Sequence, residues 1–359
     1  MTSDRGHRRY QIAVGPPPTA TRGPARESRR PPRWVLAGSC AYAAGLLALL
    51  AMARWSAPEW WPIHLLLYGP RWAMALPWPL LAIAAAWCRS TRAVPVLVLA
   101  ALALVPTWGV VLPRPWRAPA GDPDVPSLRV MTCNIQGGDV RVDALAGLIR
   151  RDAADFVLLQ ECQLRDPRKS LGLDGWDFRS EGEFCILSRV PIGASSVLRR
   201  PDKAYRAFAF KAKVSWGGVP LTLVSAHLMT PRKGLEAVIR SPLGGGRAFR
   251  EVTRVQDYES RLLREWTSEV AGPILLAGDF NLTSEHPLYR RDWSGYADAF
   301  AYASWGLGHT MFTRMIGLRI DHILAGPGWR ADRCRVGPDI GSAHRPVIAD
   351  LSRVEGPPG

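Results

Sequence analysis

The chain has 359 residues, a formal net charge of +15 and 47% hydrophobic residues, which is long enough for more than one unit. Residues 1–127 carry 14 Arg and 5 acidic residues, net +9, whereas the remaining 32 basic and 26 acidic residues give only +6. That split excludes reading the whole excess as a nucleic-acid footprint, although the second part still favours anionic substrates.

The first 33 residues hold eight Arg among Pro and Gly, and are expected to be a disordered basic tail. Three apolar runs follow. Residues 34–53 are 20 residues without a charge, 72–88 are 17, and 93–112 are another 20. A bilayer-spanning helix takes about 17–25 residues, so three transmembrane helices are expected, the second carrying Pro77 and Pro79. Nine of the 15 Trp lie between residues 34 and 116, several at the run ends, where headgroups favour amphipathic rings. Lys and Arg concentrate in cytoplasmic loops. The Arg-rich tail, with Arg89 and Arg92 in the short second loop, predicts a cytoplasmic N-terminus. Three crossings then place residues beyond 115 outside the cytoplasm, in a plasma-membrane, multi-pass topology. Ile63–Pro70 is apolar too, interrupted by Arg71, and two or four crossings would reverse the side.

Residues 113–127, with five Pro, read as a stiff linker. A folded domain is expected over 128–353. Strands are predicted near 128–134, 156–161, 176–180, 184–188, 194–199, 205–214, 219–227, 273–279, 319–325 and 345–351. Helices are predicted near 141–152, where Val142, Leu145, Leu148 and Ile149 share a face, and near 248–270. This mixture is α/β with many antiparallel strands, a two-sheet sandwich flanked by helices. The six Cys show no zinc-site or CxxC spacing, and no disulfide is expected.

Four strands end in polar residues suited to metal or phosphate chemistry: Leu128–Asn134, Phe156–Glu161, Leu275–Asn281 and Arg319–His322, with Ser342–Val347 following. In Gly278-Asp279-Phe280-Asn281, an extended backbone would aim Asp279 and Asn281 at one point. Glu161 beside Asn134 offers the oxygen donors that Mg²⁺ or Mn²⁺ takes. Asp321 and His344 read as a carboxylate–imidazole pair.

On Gln160-Glu161, Gly278-Asp279-Phe280-Asn281, Asp321 and His344, with Gly182–Arg189 and Ser225–Leu228, residues 127–353 resemble the endonuclease/exonuclease/phosphatase superfamily. The resemblance implies a four-layer α/β/β/α sandwich and a divalent-metal-dependent phosphoesterase. It implies that Asp279 orients or deprotonates the attacking water and that Asn281 donates to the scissile phosphate. Asp321 would orient His344, which stabilises the transition state, and His227 matches a position that contacts the phosphate. Glu161 and Asn134 would be the main metal ligands. Members usually carry Asp before the last His; here it is Ala343, which puts full metal affinity in question. Several spans ahead of such a domain resemble VanJ-type membrane proteins associated with glycopeptide-antibiotic resistance. That implies a polyprenyl pyrophosphate or other cell-envelope phosphoester as substrate. The alternatives are an extracytoplasmic nuclease, with nucleic acid as partner, and a non-catalytic envelope-binding module.

Overall fold

The computed structural model describes residues 32–55, 60–112, 126–137, 140–242, 244–313 and 316–354. The expected tail, apart from residues 32–33, and most of the 113–127 linker lie outside them.

Helix α1 (Arg33–Trp55) has 23 residues, about 34 Å of helix. Among the described residues it is the one helix long and apolar enough to cross a membrane, and only 22% of its most apolar window is buried. The other two expected spans come out shorter. After α2 (Trp61–Tyr68) and a 3-10 turn (Arg71–Ala75), α3 (Pro77–Trp87) has 11 residues and α4 (Ala93–Thr107) has 15, about 16 and 22 Å. Prolines set these limits. Pro77 starts a new helix, since it has no N–H to continue one, and α4 ends one residue after Pro106. The expectation of three full-length spans is corrected accordingly. The apolar Ile63–Pro70 stretch forms most of α2, whose 8 residues are too few for a further crossing.

Helices α1, α3 and α4 pack as a bundle. Val35, Ala85, Ala93 and Leu97 cluster at one end, and Ala43, Leu46, Ala100 and Leu104 further along. Thus α1 and α4 run parallel in direct contact, and α3 runs antiparallel to both and packs against the pair. Arg33, Arg89 and Arg92 belong to the end where α1 and α4 begin. The outer surface is apolar: Leu47, Leu80, Ile83, Trp87, Val94, Val98, Leu99 and Leu102 are 44–87% exposed. Soluble proteins rarely show contiguous patches of this kind.

The second part begins with β1 (Leu128–Asn134), α5 (Val142–Arg151), β2 (Phe156–Gln160), α6 (Pro167–Leu171), β3 (Asp177–Glu181) and β4 (Phe184–Ser188). It continues through β5 (Ser195–Arg200), β6 (Lys203–Trp216), β7 (Val219–His227), α7 (Arg232–Arg240), α8 (Gly246–Ser268) and β8 (Ile274–Asp279). It closes with α9 (Pro287–Trp293), β9 (Ala297–Asp298), α10 (Ala299–Ala303), β10 (Met311–Phe312), β11 (Gly317–Leu318), β12 (Asp321–Ala325), β13 (Trp329–Val336) and β14 (Val347–Arg353). Helices α6, α7, α9 and α10 and strands β9, β10, β11 and β13 were not anticipated.

Two six-stranded mixed sheets result, ordered β13-β14-β1-β2-β4-β3 and β5-β6-β7-β8-β12-β9. Their facing sides bury Val130, Leu158 and Ile186 against Phe210, Leu223 and Leu275. Alternate residues point outward, as a pleated strand requires. Met131 and Val157 pack with Leu145 of α5 and Leu171 of α6. Val224 and Leu276 pack with Leu263 of α8 and Trp293 of α9. The layers are therefore α/β/β/α. Each sheet has one parallel pair, β1–β2 and β7–β8, connected through helices. Strand register brings the polar residues at the ends of β1, β2, β7 and β8 and the start of β12 to one edge of the sandwich.

Candidate active site

Register sets the centre of the site. His227 lies beside Asp279 across β7–β8, and Asp279 lies opposite Asp321 across β8–β12. Gly278 permits the first pairing. Its φ is +148°, and a Cβ there would run into the Ala226 carbonyl, so a side chain is excluded on both counts.

Asp279 is 1% exposed and is approached from three sides. Asn134 Nδ2 donates to its Oδ2 at 3.2 Å, His227 Nε2 lies 3.7 Å away, and His344 Nε2 lies 3.8 Å away. Asn134 Nδ2 also donates to Glu161 Oε1 at 2.8 Å, and His227 Nε2 is 3.8 Å from the same carboxylate. Each imidazole has a carboxylate on its other nitrogen. His344 Nδ1 is 2.9 Å from Asp321 Oδ2, and His227 Nδ1 is 2.6 Å from Glu183 Oε1.

The seven residues expected from the sequence are thus gathered in one place, with two differences from the simple strand-end picture. The extended backbone stops at Asp279. Asn281 is left-handed (φ 50°), a conformation Asn tolerates better than most residues. Its N–H donates to Asp279 Oδ1 at 2.9 Å and its Nδ2 to the Leu228 carbonyl at 2.9 Å. Asn134 Oδ1 accepts the Gln136 N–H at 3.0 Å, so its amide nitrogen faces the carboxylates. Glu161 is left-handed as well (φ 50°), at a cost of about 1–2 kcal/mol for such a residue. It is held by its carbonyl accepting from Gly137 N–H.

The electrostatics demand positive charge. Burial raises the pKa of Asp279, and the Asp321 charge raises it further. Burial disfavours the charged form of His344, but Asp321 and Asp279 outweigh it and push its pKa up to about 9. Burial opposes charge on His227 as well, and the Glu183 hydrogen bond with the Asp279 charge overcomes it, raising the pKa.

These residues fit a hard divalent cation. Donor atoms of Asp279, Asp321 and His344 lie within 4.8 Å of one another. Asp321 Oδ1 is buried without a hydrogen-bond partner, which a cation would supply. Glu161 borders this cluster through Asn134, with its side chain 38% exposed. The carboxylate oxygens of Asp279, Asp321 and Glu161 suit Mg²⁺ or Mn²⁺, with the protonated His344 beside them rather than among the ligands.

Sequence reasoning missed Glu183, the partner of His227. It stands in the Gly182–Arg189 stretch that carries the resemblance, but nothing in its spacing ties it to a histidine 44 residues away. Gln160, at the end of β2, spans the two sheets behind the site by donating to Ser225 Oγ at 2.8 Å. His322 faces away from the centre as its strand position predicts, with Nε2 at 2.9 Å from the Leu282 carbonyl.

Residues 131–344 match the Endonuclease/Exonuclease/phosphatase family. Among solved structures, a humanized D. rerio TDP2 is 20% identical, with 63% of this chain and 99% of that one covered and a TM-score of 0.49. The 3'-5' exonuclease NExo from Neisseria meningitidis is 21% identical over 63% of this chain and 100% of its own, also at 0.49. An endonuclease/exonuclease/phosphatase from Beutenbergia cavernae is 20% identical, covering 63% and 72%, at 0.48. No curated protein matches the chain. With the family match spanning more than half its length, the chain belongs to the Endonuclease/Exonuclease/phosphatase family and is a phosphoester hydrolase.

Proposed function

We propose that the chain is a membrane-anchored, Mg²⁺- or Mn²⁺-dependent phosphoesterase working outside the cytoplasm on a lipid-borne phosphoester. The VanJ-type resemblance suggests a polyprenyl pyrophosphate or another cell-envelope phosphoester. The observation that carries the hydrolytic reading is Asp279, buried and ringed by Asn134, His227 and His344. The bound cation would neutralise phosphate charge next to Asp279, Asp321 and Glu161. Asp279 orients the attacking water and accepts its proton. His227, charged through Glu183, grips a phosphate oxygen. His344, held protonated by Asp321, stabilises charge on the phosphorus oxygens or protonates the leaving oxygen. The amide hydrogen of Asn281 not used by Leu228 donates to the scissile phosphate.

The membrane assignment is supported by α1, by the apolar exterior of the α1–α3–α4 bundle, and by Arg33, Arg89 and Arg92 at its far end. Those arginines favour a cytoplasmic far end, so α1 would cross with its C-terminal end and the sandwich outside, and the shorter α3 and α4 would pack against it within the bilayer. Confinement raises the effective concentration of a substrate in the same bilayer.

Product formation by the full chain in nanodiscs with Mg²⁺ or Mn²⁺ tests this function, read as phosphate from polyprenyl pyrophosphate, shorter strands or nucleotides from DNA, and phosphocholine from sphingomyelin. Turnover of the first is expected. Turnover of DNA alone would make the chain a nuclease, and turnover of none would leave the envelope-binding reading. A reporter active only outside the cytoplasm, fused after Val354, should be active; silence there would place the sandwich inside.

A further inference from the structure

The segment between α1 and α3 belongs to the bundle by sequence, yet it packs against the loop that follows β8. Four of its contacts fall within six residues of that loop. Tyr68 Oη donates to the Asn281 carbonyl at 2.7 Å. Arg71 Nη2 donates to Thr283 Oγ1 at 3.3 Å, and Arg71 Nη1 pairs with Glu285 Oε2 at 3.2 Å. His64 Nδ1 lies 2.6 Å from His286 Nε2. The interface is buried: Tyr68, His64, Asn281, Thr283 and His286 are all under 5% exposed. Tyr68 packs with Phe249, Leu318 and Ile320, partnered by Trp61 and Leu65. Gly246 at the start of α8 leaves room for Trp61, whose ring a Cβ there would meet at 2.8 Å. Arg71 is tied back to α4, since Trp108 Nε1 donates to its carbonyl at 3.1 Å.

The geometry points to α2 and the Arg71 turn as a positioning element for the catalytic loop, with Tyr68 as its key residue; this rests on the function proposed above. The path is short. Tyr68 holds the carbonyl of Asn281, whose own N–H holds Asp279 Oδ1. Asn281 is left-handed, so its peptide planes need outside support to stay where the Asp279 carboxylate requires them. Gln256 Nε2 also reaches the Asn281 carbonyl, at 3.3 Å, the longer of the two bonds. The phosphoesterase centre is therefore two hydrogen bonds from the segment that leads out of α1, and a sandwich cut free of residues 60–111 keeps its catalytic residues but loses this support.

The test uses the full chain in nanodiscs with Tyr68→Phe, which removes only the hydroxyl, and the pair Arg71→Gln and Arg71→Lys. Amide hydrogen exchange is followed at residues 280–286, where Phe280, Asn281 and His286 N–H groups are bonded. Hydrolysis of bis(p-nitrophenyl) phosphate with Mn²⁺ is measured in parallel. Tyr68→Phe should speed exchange in this loop about fivefold to tenfold, leave β1 and β14 unchanged, and lower kcat by a similar factor with KM unaltered. Arg71→Lys should recover most of what Arg71→Gln loses. A purely structural contact would lower the unfolding temperature without changing kcat of the folded protein. Unchanged loop exchange overturns the inference, as does unchanged kcat in an active wild type. Should the wild type hydrolyse nothing, the proposed function fails, and hydrogen exchange alone decides whether α2 holds the loop.

Discussion

Gly278→Ala is the most demanding substitution this site offers, because it adds one methyl group and removes no chemistry. The added carbon would overlap the Ala226 carbonyl oxygen and stand 2.9 Å from Ala226 N. Relief requires β7 and β8 to separate locally or Gly278 to leave its φ of +148°. The backbone strain alone is worth about 1–3 kcal/mol, and the steric conflict adds to it, so a destabilisation of about 3 kcal/mol is expected. For a domain of this size that lowers Tm by about 6–12 °C. The effect on activity should be larger than the effect on folding. His227 and Asp279 are register partners next to this glycine, and a misplacement of about 1 Å costs on the order of 10²-fold in rate. Differential scanning calorimetry and steady-state kinetics on the same preparation provide both numbers. A variant with wild-type kcat/KM and wild-type Tm would refute the claim that this strand contact sets the catalytic geometry.

Three further outcomes are expected. Glu161→Gln keeps shape and removes charge; activity should fall steeply and recover in part with excess Mg²⁺ or Mn²⁺, read from metal titrations of the rate. Ala343 is exposed and its N–H donates to Gln136 Oε1, so Ala343→Asp should tighten apparent metal affinity in the same titration and leave Tm within about 2 °C, as surface changes usually do. His344 has a folded pKa raised from 6.5 to about 9. Its contribution to stability is therefore fully present below about pH 6.5 and lost as pH rises through about 9; NMR titration of the metal-free protein should show its ring protonated at pH 7.5.

Much of the sandwich could be read from the sequence because its central strands are five- to seven-residue apolar runs closed by a polar residue, and the closing residues form the site. β13 was illegible for a physical reason. Its sequence WRADRCRV alternates charges with small residues, and the register shifts between Ala331 and Arg333, so no clean period survives. α7 has only nine residues, contains Gly234 and starts after Pro231 with no side-chain cap, which leaves a weak helix signal. Composition gave the bundle's apolar character, but helix lengths followed the prolines at 77 and 106 rather than the lengths of the uncharged runs. Asp321 and His344 could be paired by residue type. Glu183–His227 and Tyr68–Asn281 could not, because partners 44 and 213 residues apart leave no local pattern. The left-handed turn at Asn281 overrode the strand alternation on which its expected direction depended.

The most direct measurement is metal-dependent hydrolysis by the full chain and by Asp279→Asn in the same bilayer preparation. Wild type should release phosphate or cleave a phosphodiester with Mg²⁺ or Mn²⁺ and stop on chelation. Asp279→Asn should be slower by about 10²–10⁴-fold, the usual worth of a general base, while folding normally. An Asp279→Asn protein as active as wild type, or a wild type equally active in chelator, would contradict the account of this site.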